Sequence, residues 1–345
     1  MNVAWLKSRC INALRCYASY ALSRFGSVRI AHRPLFLSVE PAATCQLSCP
    51  ECPVGQANKQ RSPRSPQPLM SEEIWQRVLR EAAPYAHTIQ FYFQGEPLLN
   101  KRLPQMIAQA HEQGLYTIVS TNAQALTPEY AEALVKAGLN RIIISMDGWT
   151  DESYNAYRIG GNLQRCKDAI RWLRDAKNSL PFRVKSSARS SVQWTVVEHL
   201  LGVGSLIIEL QVLRLRTNEH EWNTFRRYYK SLGADRLVFK TAQLYNYAFG
   251  HPMMPSDPRY SRYILGEDGF YHRRKLPKRC FRVWSGVVVT TTGDVLPCCY
   301  DKAHAYAYGN IMEHTLAELF ASPKAQAFRK AAWIEQPEIC KECYK

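Results

Sequence analysis

Cys45, Cys49 and Cys52 stand in the spacing C-x3-C-x2-C, three thiols crowded onto one short segment. Zinc sites usually take their four ligands from two separated pairs of cysteine or histidine. Here three thiols share one segment, and no fourth ligand lies nearby in sequence. A cubane iron–sulfur cluster accepts such a set, with three irons each on a thiolate and the fourth iron open to a substrate or cofactor. The triplet directly follows an apolar strand candidate, Leu35–Val39. Parallel α/β folds build their sites at that end of a strand.

A second group, Cys280, Cys298, Cys299, Cys340 and Cys343, lies in the last 66 of the 345 residues. The N-terminus has neither an uninterrupted apolar core nor a small-residue cleavage site, so it does not read as a signal peptide. The 11 cysteines are thus expected in a reducing, cytoplasmic compartment, as metal ligands rather than disulfides. Cys10, Cys16 and Cys166 read as buried thiols without chemistry.

Strand-like and helix-like segments alternate around the first triplet. Helix patterns at Ser71–Ala83, Lys101–Gly114, Thr127–Ala137, Leu163–Lys177 and Glu221–Leu232 are interleaved with strand patterns. The strands are Thr88–Phe93, Leu115–Thr121, Asn140–Met146, Ile208–Leu215 and Arg236–Thr241. Gly114, Gly138 and Gly233 sit where helices stop in a left-handed residue. This rhythm predicts βα units and a parallel sheet, open or closed into a barrel. Arg183–Leu206, with its polar run Ser186–Ser191, is too long for an ordinary connection and reads as an insertion, a substrate-facing lid or a local irregularity. Asn246–Lys278 shows no helical period and reads as a bridging segment. A hairpin is expected at Val287–Thr291 and Val295–Pro297 around Gly293-Asp294, then a helix at Leu316–Ala331.

Further motifs fall at the predicted strand ends: Gln94-Gly95-Glu96-Pro97, Ser120-Thr121-Asn122, Ser145-Met146-Asp147-Gly148, and Arg158 within Tyr157–Gly161. Taken with the cysteine triplet, these make the chain resemble the radical S-adenosylmethionine superfamily over most of Pro34–Thr241. The resemblance implies a partial (β/α)6 TIM-like barrel. It also implies a 4Fe–4S cluster on Cys45, Cys49 and Cys52 that cleaves S-adenosylmethionine. The cofactor is expected to meet Gln94, Gly95, Glu96, Pro97, Thr121, Asn122, Ser145, Asp147 and Arg158, the last pairing with its carboxylate. Glu51 departs from the family, which commonly has an aromatic residue there, so either adenine packing is expected to come from elsewhere or the loop conformation is expected to differ.

Cys280, Gly293 and the run Gly293–Cys299, with Gly309-Asn310-Ile311, are similar to the start of a SPASM extension. That resemblance implies a small cysteine-rich C-terminal domain with one auxiliary 4Fe–4S cluster on Cys280, Cys298, Cys340 and Cys343. Cys299 is then the spare, or replaces Cys298. A structural zinc on four thiolates is the alternative. The implied division is 1–33 for an N-terminal helix, 34–245 for the barrel, 246–278 for the bridge and 279–345 for the SPASM-type domain.

The net charge of +16 favours acidic partners, such as an acidic reductase, a phosphorylated substrate or an anionic lipid surface. Its basic residues are scattered, and no nucleic-acid module is recognisable, so nucleic acid is not expected. Trp5, Ile11, Leu14, Tyr17, Tyr20, Leu22 and Phe25 outline an amphipathic basic helix. It either packs on the barrel or makes peripheral membrane contact. The expected reaction is hydrogen abstraction from a peptide or protein side chain, or alternatively from a small molecule such as a sugar or lipid-linked intermediate. An electron donor such as flavodoxin or ferredoxin is the expected partner. A metal-binding scaffold or redox sensor is the non-enzymatic alternative.

Overall fold

The structure, a computed structural model, describes residues 3–60, 65–179, 206–274, 280–341 and 343. In chain order, α1 (Val3–Leu22) precedes β1 (Phe36–Val39), and α2 (Pro53–Lys59) and α3 (Glu72–Ala82) lead to β2 (Thr88–Phe91). Next come α4 (Leu103–Glu112), β3 (Tyr116–Thr121), α5 (Pro128–Lys136) and β4 (Arg141–Ser145). They are followed by α6 (Asp151–Tyr157), α7 (Leu163–Ser179), β5 (Ile207–Arg214), α8 (Trp222–Leu232) and β6 (Arg236–Thr241). A short antiparallel pair follows, β7 (Tyr263–Leu265) and β8 (Tyr271–Arg273). The C-terminal unit holds α9 (Phe281–Ser285), β9 (Gly286–Val289), β10 (Asp294–Leu296), β11 (Gly309–Asn310), α10 (Leu316–Ala321), α11 (Pro323–Ile334) and α12 (Glu338–Lys341).

Strands β1 to β6 are parallel and adjacent in sequence order, forming a partial (β/α)6 barrel. Residues of β1 to β4 are mostly buried on both faces, as helix-covered parallel strands require, while β6 at the open edge stays half-buried to exposed. Ile142 and Ile144 pack with Leu134, Ile170 and Leu173 of the outer helices, while Ile143 joins Tyr116, Ile118 and Tyr92 in a separate apolar cluster. The helices begin on polar caps: Ser71 accepts from the Ile74 amide and Thr127 from the Tyr130 amide. They end where glycine turns left-handed, at Gly114, Gly138 and Gly233.

Among the described residues the C-terminal unit does not carry a sheet of its own. Its strand β9 pairs in parallel with β1, residue by residue from Phe36 against Gly286 to Val39 against Val289. The expected hairpin is present as β9 and β10, with Gly293 at φ 88° in its turn, so one nine-stranded sheet runs from β11 to β6.

Several boundaries differ from expectation. The helix expected over Leu316–Ala331 is two helices, because Ser322 caps a new helix with Pro323 in its first turn. The bridging segment, expected to lack a helical period, holds the β7–β8 hairpin. Residues 180–205, most of the anomalous insertion, lie outside the described residues; Leu206 is buried beside β5. Cys16 and Cys166 are buried thiols, whereas Cys10 is exposed on α1.

Candidate cluster and cofactor site

The chain leaving β1 forms the cysteine loop, and its neighbours shape it closely. Asn58 of α2 donates to the carbonyls of Cys45 (2.7 Å) and Leu47 (2.8 Å), fastening the loop to the helix that follows it. Gly55 lies so near that a Cβ there would stand 2.4 Å from the Cys49 carbonyl oxygen. Gly95 crosses the loop from the other side, where a Cβ would stand 2.0 Å from the Ala42 oxygen. The Glu96 amide donates to the Thr44 carbonyl at 2.8 Å. The second residue of the Gln94–Pro97 motif is thus glycine for a steric reason.

Glu96 itself is turned inward. Its carboxylate accepts from Thr121 Oγ1 (2.6 Å) and the amides of Asn122 (2.8 Å) and Leu98 (3.1 Å), tying the ends of β2 and β3 together. Burial raises its carboxyl, and these three donors oppose that rise. Pro97 is buried and opens a short 3₁₀ turn. At the end of β3 the chain turns sharply, with Ala123 at φ 64°. Asn122 then points its Nδ2 at the Cys45 sulfur, 3.4 Å away.

Asp147 is fully buried and does not line the cavity. Its Oδ2 accepts from Arg158 Nε at 2.6 Å and its Oδ1 from the Leu213 amide at 2.6 Å. Burial alone would lower the Arg158 pKa, but the charges of Asp147 and Cys49 outweigh it and hold the guanidinium ionised. Expected to meet the cofactor, Asp147 is instead placed to position Arg158, whose Nη1 lies 4.0 Å from the Cys49 sulfur.

A cavity of about 370 Å³ opens at these strand ends. Around it stand Cys45, Cys49, Cys52, Gln94, Gly95, Glu96, Thr121, Asn122, Ser145 and Arg158. Its far wall holds Lys240, Arg262 and Lys302, three cations that the sequence did not single out. Glu51 also lines it. The Glu51 carboxylate accepts from the Tyr245 amide at 2.6 Å and lies 3.4 Å from His251 Nε2, so it latches the loop to the bridging segment. The chain after β6 also packs Leu244, Met254 and Tyr263 into an apolar cluster with Leu47, Cys49 and Tyr157. These contacts had no local signal, because the partners lie about 200 residues away.

The loop suits an iron–sulfur cluster. Burial pushes the Cys45 thiol up to about 12 and raises Cys49 as well, so a cationic iron centre is what would hold them as thiolates. The Leu47 amide and Asn122 Nδ2 both point donors at the Cys45 sulfur, at 3.4 Å each. Among the described residues no three cysteine, histidine or acidic side chains converge on a single-ion site. A multi-iron cluster places no such demand, since each thiolate takes its own iron.

In the C-terminal unit, Cys280 caps α9, Cys298 follows β10, and the Cys343 amide donates to the Cys340 carbonyl at 3.2 Å. The Cys298 thiol feels the charges of Cys299, Cys280 and Cys340, and the Cys340 thiol those of Cys280 and Cys343. Burial raises both, Cys340 to about 12. Cys299 is turned towards Arg282, whose Nη1 donates to its sulfur at 3.1 Å.

Comparison with known proteins agrees with this architecture. The family model of the Radical SAM superfamily matches residues 39–183, and that of an iron-sulfur cluster-binding domain, SPASM, matches 280–344. Over 331 residues the chain is 27% identical to a PqqA peptide cyclase of Methylobacterium nodulans, covering 90% of this chain and 78% of that protein. The solved structure of native anSMEcpe with bound AdoMet and Kp18Cys peptide has TM-score 0.60 at 18% identity, covering 87% of this chain and 84% of that one. BtrN in complex with AdoMet and 2-DOIA has TM-score 0.51 at 18% identity, covering 90% and 93%. These two likenesses are of fold. The chain belongs to the radical SAM superfamily, as an enzyme whose C-terminal unit is a SPASM iron–sulfur cluster-binding domain.

Proposed function

We propose that this enzyme matures a peptide or protein by abstracting hydrogen from one of its side chains, leading to oxidation or cross-linking. When bound, a 4Fe–4S cluster on Cys45, Cys49 and Cys52 supplies the electron that cleaves S-adenosylmethionine to methionine and a 5′-deoxyadenosyl radical. The observation that carries the reading is the one cavity shared by the three thiols and the strand-end motifs. Within it, Gly95 brings backbone close, Ser145 and Thr121 present hydroxyls, and Arg158 offers a guanidinium to the cofactor carboxylate. Asp147 and Glu96 act one step back, holding Arg158 and the β3 end in place. The apolar cover from Leu244, Met254 and Tyr263 keeps water from the thiols.

The likeness to PqqA peptide cyclase supports a peptide substrate. Lys240, Arg262 and Lys302 on the far wall favour a substrate with an anionic group. Cys280, Cys298, Cys340 and Cys343 are assigned to one auxiliary 4Fe–4S cluster, with flavodoxin or ferredoxin as donor. The basic α1 is assigned to peripheral membrane contact. A small-molecule substrate is the second reading, favoured by α1 packing at the end of the barrel away from the mouth, where it does not meet a peptide entering the cavity.

Anaerobic reconstitution with S-adenosylmethionine and dithionite tests the assignment. The expected products are 5′-deoxyadenosine and, with an acidic peptide substrate, a peptide lighter by the hydrogens removed. Full iron loading without 5′-deoxyadenosine would sink the reading. Turnover of an anionic small molecule, with peptides inert, would select the second.

A further inference from the structure

The helix α1 turns polar residues inward and apolar residues outward. Arg9, Asn12, Cys16, Ser19 and Ser23 recur at intervals of three and four and are buried. Arg9 reaches the carbonyls of Ala83 (2.6 Å), Gln113 (2.7 Å) and Gly114 (2.7 Å), where α3 and α4 end. Asn12 donates to the carbonyls of Arg33 and Tyr85, both at 3.1 Å. These bonds satisfy helix-end acceptors, and they explain how a polar face is stable underneath. The opposite face follows the same period with Ile11, Leu14, Leu22 and, in the next turn, Phe25. These are 39%, 70%, 55% and 86% exposed.

The surroundings of that stripe are cationic. No Asp or Glu precedes Glu40, while Lys7, Arg15, Arg24, Arg29 and Arg33 are exposed. A cleft of about 300 Å³ beside the stripe is bounded by Ile11, Arg15, His32 and Arg33. The neighbouring cavity, about 390 Å³, adds Arg80; its one carboxylate, Glu81, accepts from the Leu316 amide and pairs with Arg77. Among the described residues no helix is long and apolar enough to cross a membrane. An apolar stripe flanked by arginines is the pattern of a helix lying in a bilayer interface.

Building on the proposed membrane contact, we infer that this face docks on the surface of an anionic lipid bilayer. Ile11, Leu14, Leu22 and Phe25 enter the acyl boundary, and the cleft at Arg15 and Arg33 takes a lipid phosphate. The C-terminal strand ends, with the cavity mouth, are then turned away from the bilayer. Tyr17, whose ring stacks on Phe281 at 5.2 Å, places the Cys280 side of the auxiliary site next to the lipid.

Flotation of the full-length holoenzyme under anaerobic conditions tests this, using phosphatidylcholine vesicles with and without phosphatidylglycerol. The wild type should float with the phosphatidylglycerol vesicles and be released by salt. The exposed-site double variant Leu14→Asp/Phe25→Asp should bind roughly ten-fold or more weakly. Arg15→Gln/Arg33→Gln should lose the preference for anionic over neutral vesicles. Both variants should keep wild-type 5′-deoxyadenosine formation and thermal midpoint. Failure of the wild type to float, or equal flotation of Leu14→Asp/Phe25→Asp, would overturn the inference. So would a wild-type dimer that this variant dissociates, since the stripe would then be an interface between copies. Absence of 5′-deoxyadenosine in the wild type would instead count against the enzymatic reading and leave the flotation result standing.

Discussion

Arg158 joins two chemistries: its Nε donates to Asp147 Oδ2 at 2.6 Å while its Nη1 lies 4.0 Å from the Cys49 sulfur. The acid of the Ser-x-Asp-Gly motif thus works through the arginine eleven residues later, and through the β5 backbone at Leu213.

Removing that charge should therefore act on cofactor binding more than on iron. Asp147→Asn keeps the shape but leaves Arg158 less well held, and losing one partner of a buried pair is destabilising by about 3–5 kcal/mol. With Leu213 still able to bond the amide oxygen, the lower end is expected. S-adenosylmethionine should bind roughly ten-fold more weakly, with iron content unchanged. Anaerobic equilibrium dialysis beside an iron assay checks this. Iron lost in step with affinity would assign the pair to the cysteine loop instead.

Gly95→Ala addresses the loop directly. The new methyl would meet the Ala42 carbonyl, a backbone atom held by its own neighbours, so overpacking should be destabilising by about 1–3 kcal/mol. The loop that carries Cys45 would shift, and iron content should fall towards about half as the first cluster is lost. Gln94→Gly removes only a side chain that donates to the Lys302 carbonyl, so iron should be retained. Equal iron loss in both variants would show that the motif acts through Gln94.

The strands and their caps were legible because their signals are local. Ser71, Thr127, Gly138 and Gly233 each mark a helix end by hydrogen bonding or backbone conformation within a few residues. Pro53 at the first position of α2 and the Thr150–Ser153 capping box of α6 are signals of the same kind, and the two helices they start were missed. Ser322-Pro323 similarly marks the break in the expected C-terminal helix. The Glu51–His251 latch and the cover from Met254 and Tyr263 are different: their partners come together only in the folded chain. So is the buried position of Asp147, whose strand end looks identical in sequence whether its acid faces the cavity or the wall.

Cys298 and Cys299 are neighbours in sequence and should not be interchangeable. Cys298 is the one proposed as a cluster ligand with Cys280, Cys340 and Cys343, while Cys299 accepts from Arg282. Cys298→Ala should lower iron by about half, leaving the S-adenosylmethionine-cleaving site loaded, and Cys299→Ala should leave iron content unchanged. Iron analysis with electron paramagnetic resonance of the reduced proteins decides it. The reverse pattern would make Cys299 the ligand. Zinc retained at this site after Cys45, Cys49 and Cys52 are replaced by alanine would mean the auxiliary site is not a cluster.

Two buried histidines make the seating of α1 sensitive to acid. His87 Nε2 lies 3.3 Å from the Arg9 carbonyl and His32 Nε2 2.7 Å from that of Trp284, so each neutral ring donates there. Burial lowers both histidines below their ordinary value, near 6.5, outweighing the carbonyl contacts that raise them. Below that value the unfolded chain takes up protons that the native rings do not. Their contribution is therefore present above about pH 6.5 and is lost as pH falls towards the lowered native values, by up to about 1.4 kcal/mol per pH unit for each ring. Hydrogen exchange should show α1 losing protection as pH falls below about 6.5, ahead of α5. His32→Gln, which keeps a donor without a titrating ring, should flatten that dependence. An unchanged pH profile in this variant would remove His32 from the account and leave His87 to carry it alone.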